Sequence, residues 1–233
     1  MTAPRLHPPF WQHDAYTLRR LAAALRDLVP ELPRPAHMDL KAVDLGAGDA
    51  PYRRLFESAG YEYLACDIDE GAALRIIPGQ PLPLAAGTAA LLLSFQVLEH
   101  VWDLDEYLGE AHRLLSDTGH LLLSTHGTWL YHPHPTDFRR WTRSGLQAEL
   151  QQRKFTIERI VGLVGPLAWT TQFRAIGAAQ LLRRLPLVGA PLAAALSTAY
   201  HLRMMLEDAL TPRQWIDDNA AVYVVLARKT RSS

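Results

Sequence analysis

The sequence predicts an α/β fold, a mostly parallel sheet flanked by helices, on three observations. Between residues 40 and 125, short apolar or β-branched runs alternate with amphipathic segments, as strands and crossover helices do in a parallel sheet. Ala42-Val43-Asp44-Leu45 leads straight into Gly46-Ala47-Gly48. That is a strand closed by a glycine turn, where backbone can approach a ligand that a side chain would exclude. Tyr63-Leu64-Ala65-Cys66-Asp67 then reads as a second strand ending in an acid. With 233 residues, 48% of them hydrophobic, the chain can bury one sizeable core.

The elements follow in order. Residues 1–10 are proline-rich and irregular. Asp14 to Val29 carries Leu18, Leu21, Leu25 and Leu28 at helical spacing, with Asp14 as N-cap and Pro30 and Pro33 closing the helix. Strands are expected near 40–45, 62–66, 89–95 and 119–125, with a shorter one around 73–77. Asp105 to Leu115 is an amphipathic helix closed by the turn Ser116-Asp117-Thr118-Gly119. Gly145 to Gln152 forms another helix, Phe155 to Val161 a strand, and Asn219 to Ala227 the seventh and last strand, followed by a polar tail. Between the last two strands lie about 50 residues rich in Leu and Ala, with Arg174, Arg183, Arg184 and Arg203 among them. They read as two or three helices.

Composition removes several classes. Lys and Arg number 24 and Asp and Glu 24, a net charge of zero, so there is no bulk basic field for nucleic acid. One cysteine, Cys66, excludes an internal disulfide and a cysteine-built zinc site and is expected as a packed core thiol. The opening residues lack the apolar run of a signal peptide, so a cytoplasmic location is expected. No run reaches the ~18 apolar residues of a membrane span. Leu185–Tyr200 comes nearest, interrupted by Pro186, Gly189 and Pro191. A basic, apolar helical segment can still lie in a bilayer interface, so peripheral membrane contact stays open.

The glycine turn points to a nucleoside. The acid Asp44 beside it argues against a diphosphate ligand. Position 51, where a dinucleotide fingerprint has its third glycine, is proline, which argues against a nucleotide-dependent oxidoreductase. Asp67, about 20 residues on, stands where a carboxylate can accept hydrogen bonds from ribose hydroxyls.

Val43-Asp44-Leu45-Gly46-Ala47-Gly48-Asp49-Ala50-Pro51-Tyr52 resembles the first motif of class I S-adenosylmethionine (SAM)-dependent methyltransferases, and most closely that of the type 11 subgroup. Pro81-Leu82-Pro83-Leu84, the strand and loop Leu91 to Val101, and the helix–turn–strand Glu110 to Thr125 match the same pattern in the same order. The resemblance covers residues 40–162 and resumes at the last strand. It implies a Rossmann-like seven-stranded sheet with a helical insertion between the last two strands. The parts are then 1–38, an N-terminal extension and helix; 39–162, the SAM-binding core; 163–216, an apolar helical insertion serving as lid, dimer surface or membrane-facing surface, or simply packed on its own core; and 217–233, the last strand and tail.

The same resemblance assigns the cofactor roles. Gly46, Ala47 and Gly48 lie under the methionine part, Asp44 shapes the turn or pairs with the ammonium, and Tyr52 touches the methionine carboxylate or closes the pocket. Asp67 binds the ribose, Ile68 lies against the adenine, and Gln96 lies near the sulfonium. Two departures from the pattern stand out: Pro78, where an adenine-binding acid is common, and Ala89-Ala90, where Phe-Asp is common.

Tyr131-His132-Pro133-His134-Pro135-Thr136-Asp137-Phe138-Arg139-Arg140-Trp141-Thr142, followed by Gly145-Leu146, resembles the loop after the fifth strand in many type 11 sequences. A histidine titrates near pH ~6.5 and suits proton transfer. His132, His134 and His100 are therefore the candidate bases, and Asp137 orients an imidazole or pairs with Arg139 or Arg140. Tyr131, Arg140 and Trp141 are candidate contacts to the acceptor. In the bland reading the loop is merely rigid, Asp137 and Thr142 cap the next helix, and His100 caps the Val101–Trp102 turn. SAM chemistry asks for no metal, so none is expected. The function implied is methylation of a small or amphipathic acceptor, at a hydroxyl of a glycan, lipid-linked or natural-product compound. The alternative is a SAM-binding scaffold without turnover.

Overall fold

The computed structural model describes residues 5–32, 40–133 and 135–230. Strands β1 (Lys41–Leu45), β2 (Glu62–Asp67), β3 (Leu74–Arg75), β4 (Ala89–Phe95), β5 (Leu115–His126), β6 (Phe155–Leu163) and β7 (Val222–Lys229) form one sheet, in the order β3-β2-β1-β4-β5-β7-β6. The first five run parallel, and β7 runs antiparallel to both β5 and β6. The strand order reverses between β1 and β4. The carboxyl ends flanking such a reversal are where open α/β sheets place ligands.

Leucine-rich strands occupy the centre because helices cover both faces of the sheet. Every residue of β4 is buried. Successive side chains point to opposite faces. Leu91, Leu93 and Phe95 join Leu21 and Leu25 of α1 (Ala15–Leu28) and Phe56 of α2 (Arg53–Ser58). Leu92 joins Leu104, Leu108 and Leu114 of α3 (Leu104–Leu114) and Leu146 and Leu150 of α4 (Arg143–Gln152) on the other face. Asp103 caps α3 by accepting from the Glu106 N–H at 2.9 Å, and Thr142 caps α4 by accepting from the Gly145 N–H at 3.1 Å.

Two local expectations need correction. Asp14 precedes α1, but its side chain makes no capping hydrogen bond. The turn expected at Ser116–Gly119 belongs to β5 instead, as a bulge. Ala89 of β4 pairs with Leu115 and Leu91 with His120, so two residues of β4 face five of β5. Asp117 and Thr118 point to solvent, and a Cβ at Gly119 would stand 2.8 Å from the Ala89 carbonyl oxygen.

Between β6 and β7 the chain forms α5 (Pro166–Leu182), α6 (Gly189–Leu210) and α7 (Arg213–Asp218), with α5 and α6 packed as a hairpin. Polar bonds fasten the base of this hairpin to the core. Asp208 accepts from Tyr16 Oη at 2.8 Å and from the Gly165 N–H at 2.7 Å. Asp217 accepts from the Gly162 N–H at 2.8 Å. The far end is apolar and exposed, with Leu187 at 99% exposure. No helix among the described residues is long and apolar enough to cross a membrane.

Candidate active site

The glycine turn after β1 and the loop after β5 both lie against the segment that follows β4. Gly46 and Ala47 donate their N–H groups to the Cys66 carbonyl oxygen at 2.8 and 3.0 Å, which pins the turn to the end of β2. Gly46 has φ +84°, and a Cβ there would lie 2.6 Å from Val97 Cγ2, so only glycine lets the turn sit against the β4 loop. Gly48 has φ +53° with open space where a Cβ would go. Its N–H donates to Asp67 Oδ2 at 2.6 Å, while the Asp69 N–H reaches Asp67 Oδ1 at 3.3 Å. Asp67 is thereby aimed across the mouth of the turn, and the neighbouring Ile68 is 44% exposed.

Asp44 lies beneath this turn, 2% exposed. One oxygen accepts from the Tyr63 hydroxyl, and the other, Oδ1, is buried without a hydrogen-bond partner. Burial pushes its carboxyl up to about 6, with the Tyr63 hydrogen bond as the main counterweight. Cys66 is fully buried, and burial raises its thiol to about 12, so it is a core residue. Tyr52 is buried, its ring edge-on to Phe95 at 5.0 Å. Gln96 ends β4 in the left-handed region at φ 57°, a strained conformation for a residue with a Cβ. Its backbone N–H donates to the Ser124 carbonyl and its Nε2 to Ser124 Oγ, both at 2.9 Å.

The second loop, after β5, is clasped by Arg140. That guanidinium donates to both Asp137 oxygens at 2.5 Å and to the carbonyls of Trp129, Leu130 and Arg139. Although burial opposes it, Arg140 and the His132 backbone N–H hold the Asp137 carboxyl well below the usual carboxylate range. Asp137 therefore does not cap α4, and Arg140 has its donors engaged within the loop instead of aimed at an acceptor. Trp141 is likewise buried, in the core facing α3 and α4. Tyr131 is 73% exposed, on the outside of the loop. His134 lies outside the described residues.

His100 and His132 meet face to edge, ring centres 5.0 Å apart. His100 Nδ1 lies 2.6 Å from the Thr136 carbonyl oxygen, a bond across to the second loop and not to the Val101–Trp102 turn. His132 Nδ1 lies 3.2 Å from Asp137 Oδ2. Two residues not singled out from the sequence complete the cluster. Glu99 is fully buried, with Oε2 accepting from Thr125 Oγ1 at 2.8 Å and Oε1 without a hydrogen bond. His126 is stacked on Trp129, and its Nε2 lies 3.4 Å from Glu99 Oε1. Burial raises the Glu99 carboxyl and pushes the His126 imidazole well down, so it disfavours charge on both.

A family model described as a methyltransferase domain matches residues 11–164, about two-thirds of the chain. The chain belongs to the methyltransferase domain family. Within the family it is 28% identical over 94 residues to a Mycobacterium tuberculosis protein named as a probable S-adenosylmethionine-dependent methyltransferase. That match covers 36% of this chain and 34% of the relative; the chain spans between about a third and a half of the length of the curated relatives it matches. Among solved structures, geranyl diphosphate C-methyltransferase from Streptomyces coelicolor A3(2) superposes with a TM-score of 0.57 at 14% identity, over 97% of this chain and 84% of that one. The [4+2]-cyclase SpnF superposes at 0.58 with 16% identity, over 91% and 82%. These likenesses establish the Rossmann-like methyltransferase fold. They do not establish the reaction, because one fold carries many chemistries.

Proposed function

We propose that this methyltransferase domain binds SAM in the glycine turn and methylates a hydroxyl oxygen of a small or amphipathic acceptor. The observation that carries the reading is the Gly48–Asp67 link. It sets a carboxylate across a glycine turn whose φ values and open space suit a ligand pressed against backbone. The orphaned Oδ1 of Asp44, beneath the same turn, is the kind of buried acceptor that a cationic ammonium satisfies. SAM, when bound, supplies a methyl group already activated on a sulfonium. The protein's work is then to orient the acceptor, exclude water and take up the hydroxyl proton. Gly46, Ala47 and Gly48 hold the methionine part, Asp67 the ribose hydroxyls, and exposed Ile68 the adenine. Gln96, fixed to Ser124, stands at the β4 end between this turn and the histidine cluster. His100 and His132 receive the proton, and Tyr131 lies at the loop's outer face for contact with the acceptor.

Exposed Leu185, Leu187 and Val188, beside Arg183 and Arg184 at the α5–α6 turn, favour an acceptor that is itself amphipathic or presented at a membrane surface. A second reading, a SAM-binding scaffold without turnover, draws on Pro78, exposed where the related pattern often has an adenine-binding acid.

Calorimetric titration with SAM and S-adenosylhomocysteine tests the first step. Micromolar binding is expected, weakened tenfold or more by Asp67→Ala. Binding with no transfer of labelled methyl to any hydroxyl acceptor favours the scaffold. Absence of binding to folded protein overturns both readings.

A further inference from the structure

We propose that Glu99, His100 and His132 form a site for one divalent first-row cation, Zn²⁺ by preference, at the carboxyl end of β4. One carboxylate oxygen and one ring nitrogen from each histidine lie within 4.8 Å of one another.

Each of the three side chains is held from behind. Glu99 Oε2 accepts from Thr125, leaving Oε1 buried and without a hydrogen bond. His100 Nδ1 faces a carbonyl oxygen, which only accepts, so the proton is on Nδ1 and the lone pair on Nε2. His132 Nδ1 faces Asp137 Oδ2 at 3.2 Å. Arg140 Nη2 also lies 3.4 Å from that nitrogen, but it is a donor already spent on Asp137 and Leu130. The nearer carboxylate therefore places the proton on Nδ1 and again leaves Nε2 bare. A histidine bonded through one nitrogen to a carboxylate or carbonyl, with the other nitrogen free, is the outer shell that metal-binding histidines require.

Two imidazoles and a carboxylate form the donor set of a catalytic zinc site with one position open. Ligands at ~2.0–2.2 Å from an ion stand roughly 3.5 Å apart, so the cluster closes by about 1 Å on binding. His132, on a partly exposed loop, can supply that movement. Neighbouring His126 lies against the same Glu99 oxygen, a third imidazole at the edge of the cluster. Val97, two residues before Glu99, touches the glycine turn, so the open position lies beside the proposed cofactor site. A cation there would bind the acceptor hydroxyl and lower its pKa, as bound zinc does for water. With both imidazole lone pairs on the cation, metal activation replaces His100 and His132 as proton acceptors, and the hydroxyl proton passes to solvent. This use rests on the methyl-transfer reading. Occupancy of the site does not.

The test is metal binding to tag-free full chain, stripped with a chelator and titrated with Zn²⁺ and, separately, with Co²⁺ followed by visible absorption. One equivalent is expected, with a ligand-field band for Co²⁺. His132→Ala and His100→Ala should each weaken binding tenfold or more, as should Glu99→Gln. His120→Ala, paired with Glu158 elsewhere on the sheet, should leave it unchanged. Far-UV circular dichroism and S-adenosylhomocysteine affinity report whether each variant is folded. No binding to folded wild-type chain, or equal binding by folded His100→Ala and His132→Ala, overturns the site. Cation binding without SAM binding leaves the site standing and removes the methyl-transfer reading; SAM binding without cation binding does the reverse.

Discussion

At the scale of single residues, the glycine turn and the Arg140 clasp carry opposite kinds of constraint. At Gly46 the constraint is room. A methyl group there would meet Val97 at 2.6 Å, in a backbone conformation that disfavours any L side chain. Gly46→Ala should therefore cost about 1–3 kcal/mol in unfolding free energy and abolish S-adenosylhomocysteine binding. Thermal melting and calorimetry check the two halves separately. At Arg140 the constraint is shape. Lysine cannot reach both Asp137 oxygens and the loop carbonyls from one planar group. Arg140→Lys should lower the urea midpoint by the equivalent of about 1–3 kcal/mol at unchanged m-value, although charge is conserved. An unchanged midpoint would return Arg140 to the role of acceptor contact suggested by its place in the loop.

At the scale of elements, the strands were legible because each buried parallel strand is a nearly unbroken apolar run, and β4 is apolar but for one serine. The glycine turn and Asp67 were legible for the same reason, since in β1 and β2 the apolar run gives way to Gly46 and to Asp67 where the strand ends. What could not be read was anything set by pairing across distance. The hydrogen bond that takes one Asp44 oxygen and leaves Oδ1 without a partner comes from Tyr63 in the next strand. Glu99 and His126 are 27 positions apart and meet only because β4 and β5 lie side by side. A signal for Glu99 does exist: an acid between Leu98 and His100, at the end of a buried run, is seldom idle.

The packing of α6 on α1 yields a prediction at this scale. His201 is 2% exposed, set against Tyr16 and Phe10, with its Nδ1 unpartnered. Burial, with the Arg19 charge adding to it, lowers its pKa to about 4. The folded state thus binds its proton later than the unfolded chain, and stability falls as pH drops from about 6.5 toward 4. At about 1.4 kcal/mol per unit, the loss reaches up to about 3 kcal/mol. Asp44 acts with the opposite sign over part of this range, because its carboxyl is raised. The comparison is therefore between wild type and His201→Leu, unfolded in urea at pH 7 and pH 4.5. The acid loss should be smaller in the variant; an equal loss assigns the acid sensitivity elsewhere.

At the scale of the whole molecule, the domain divides into a core that needs every apolar contact and a hairpin end that uses few. The core places its apolar side chains in two layers around the sheet. The α5–α6 turn leaves Leu187 wholly in solvent, at φ 65°, while Gly189 makes room for the Leu182 carbonyl. Exposed leucine in a strained turn contributes little to folding, so its presence beside Arg183 and Arg184 argues for a surface that it meets. Replacing Leu185, Leu187 and Val188 together by serine should change unfolding free energy by about 0.5 kcal/mol or less and leave S-adenosylhomocysteine affinity unchanged. The same change should abolish cosedimentation with vesicles containing phosphatidylserine, which wild type is expected to show at low salt. Cosedimentation by both proteins, or by neither, removes the membrane reading. If wild type instead shows a concentration-dependent dimer that the serine variant lacks, the turn meets a second copy of the chain, because the same apolar area cannot serve both partners at once.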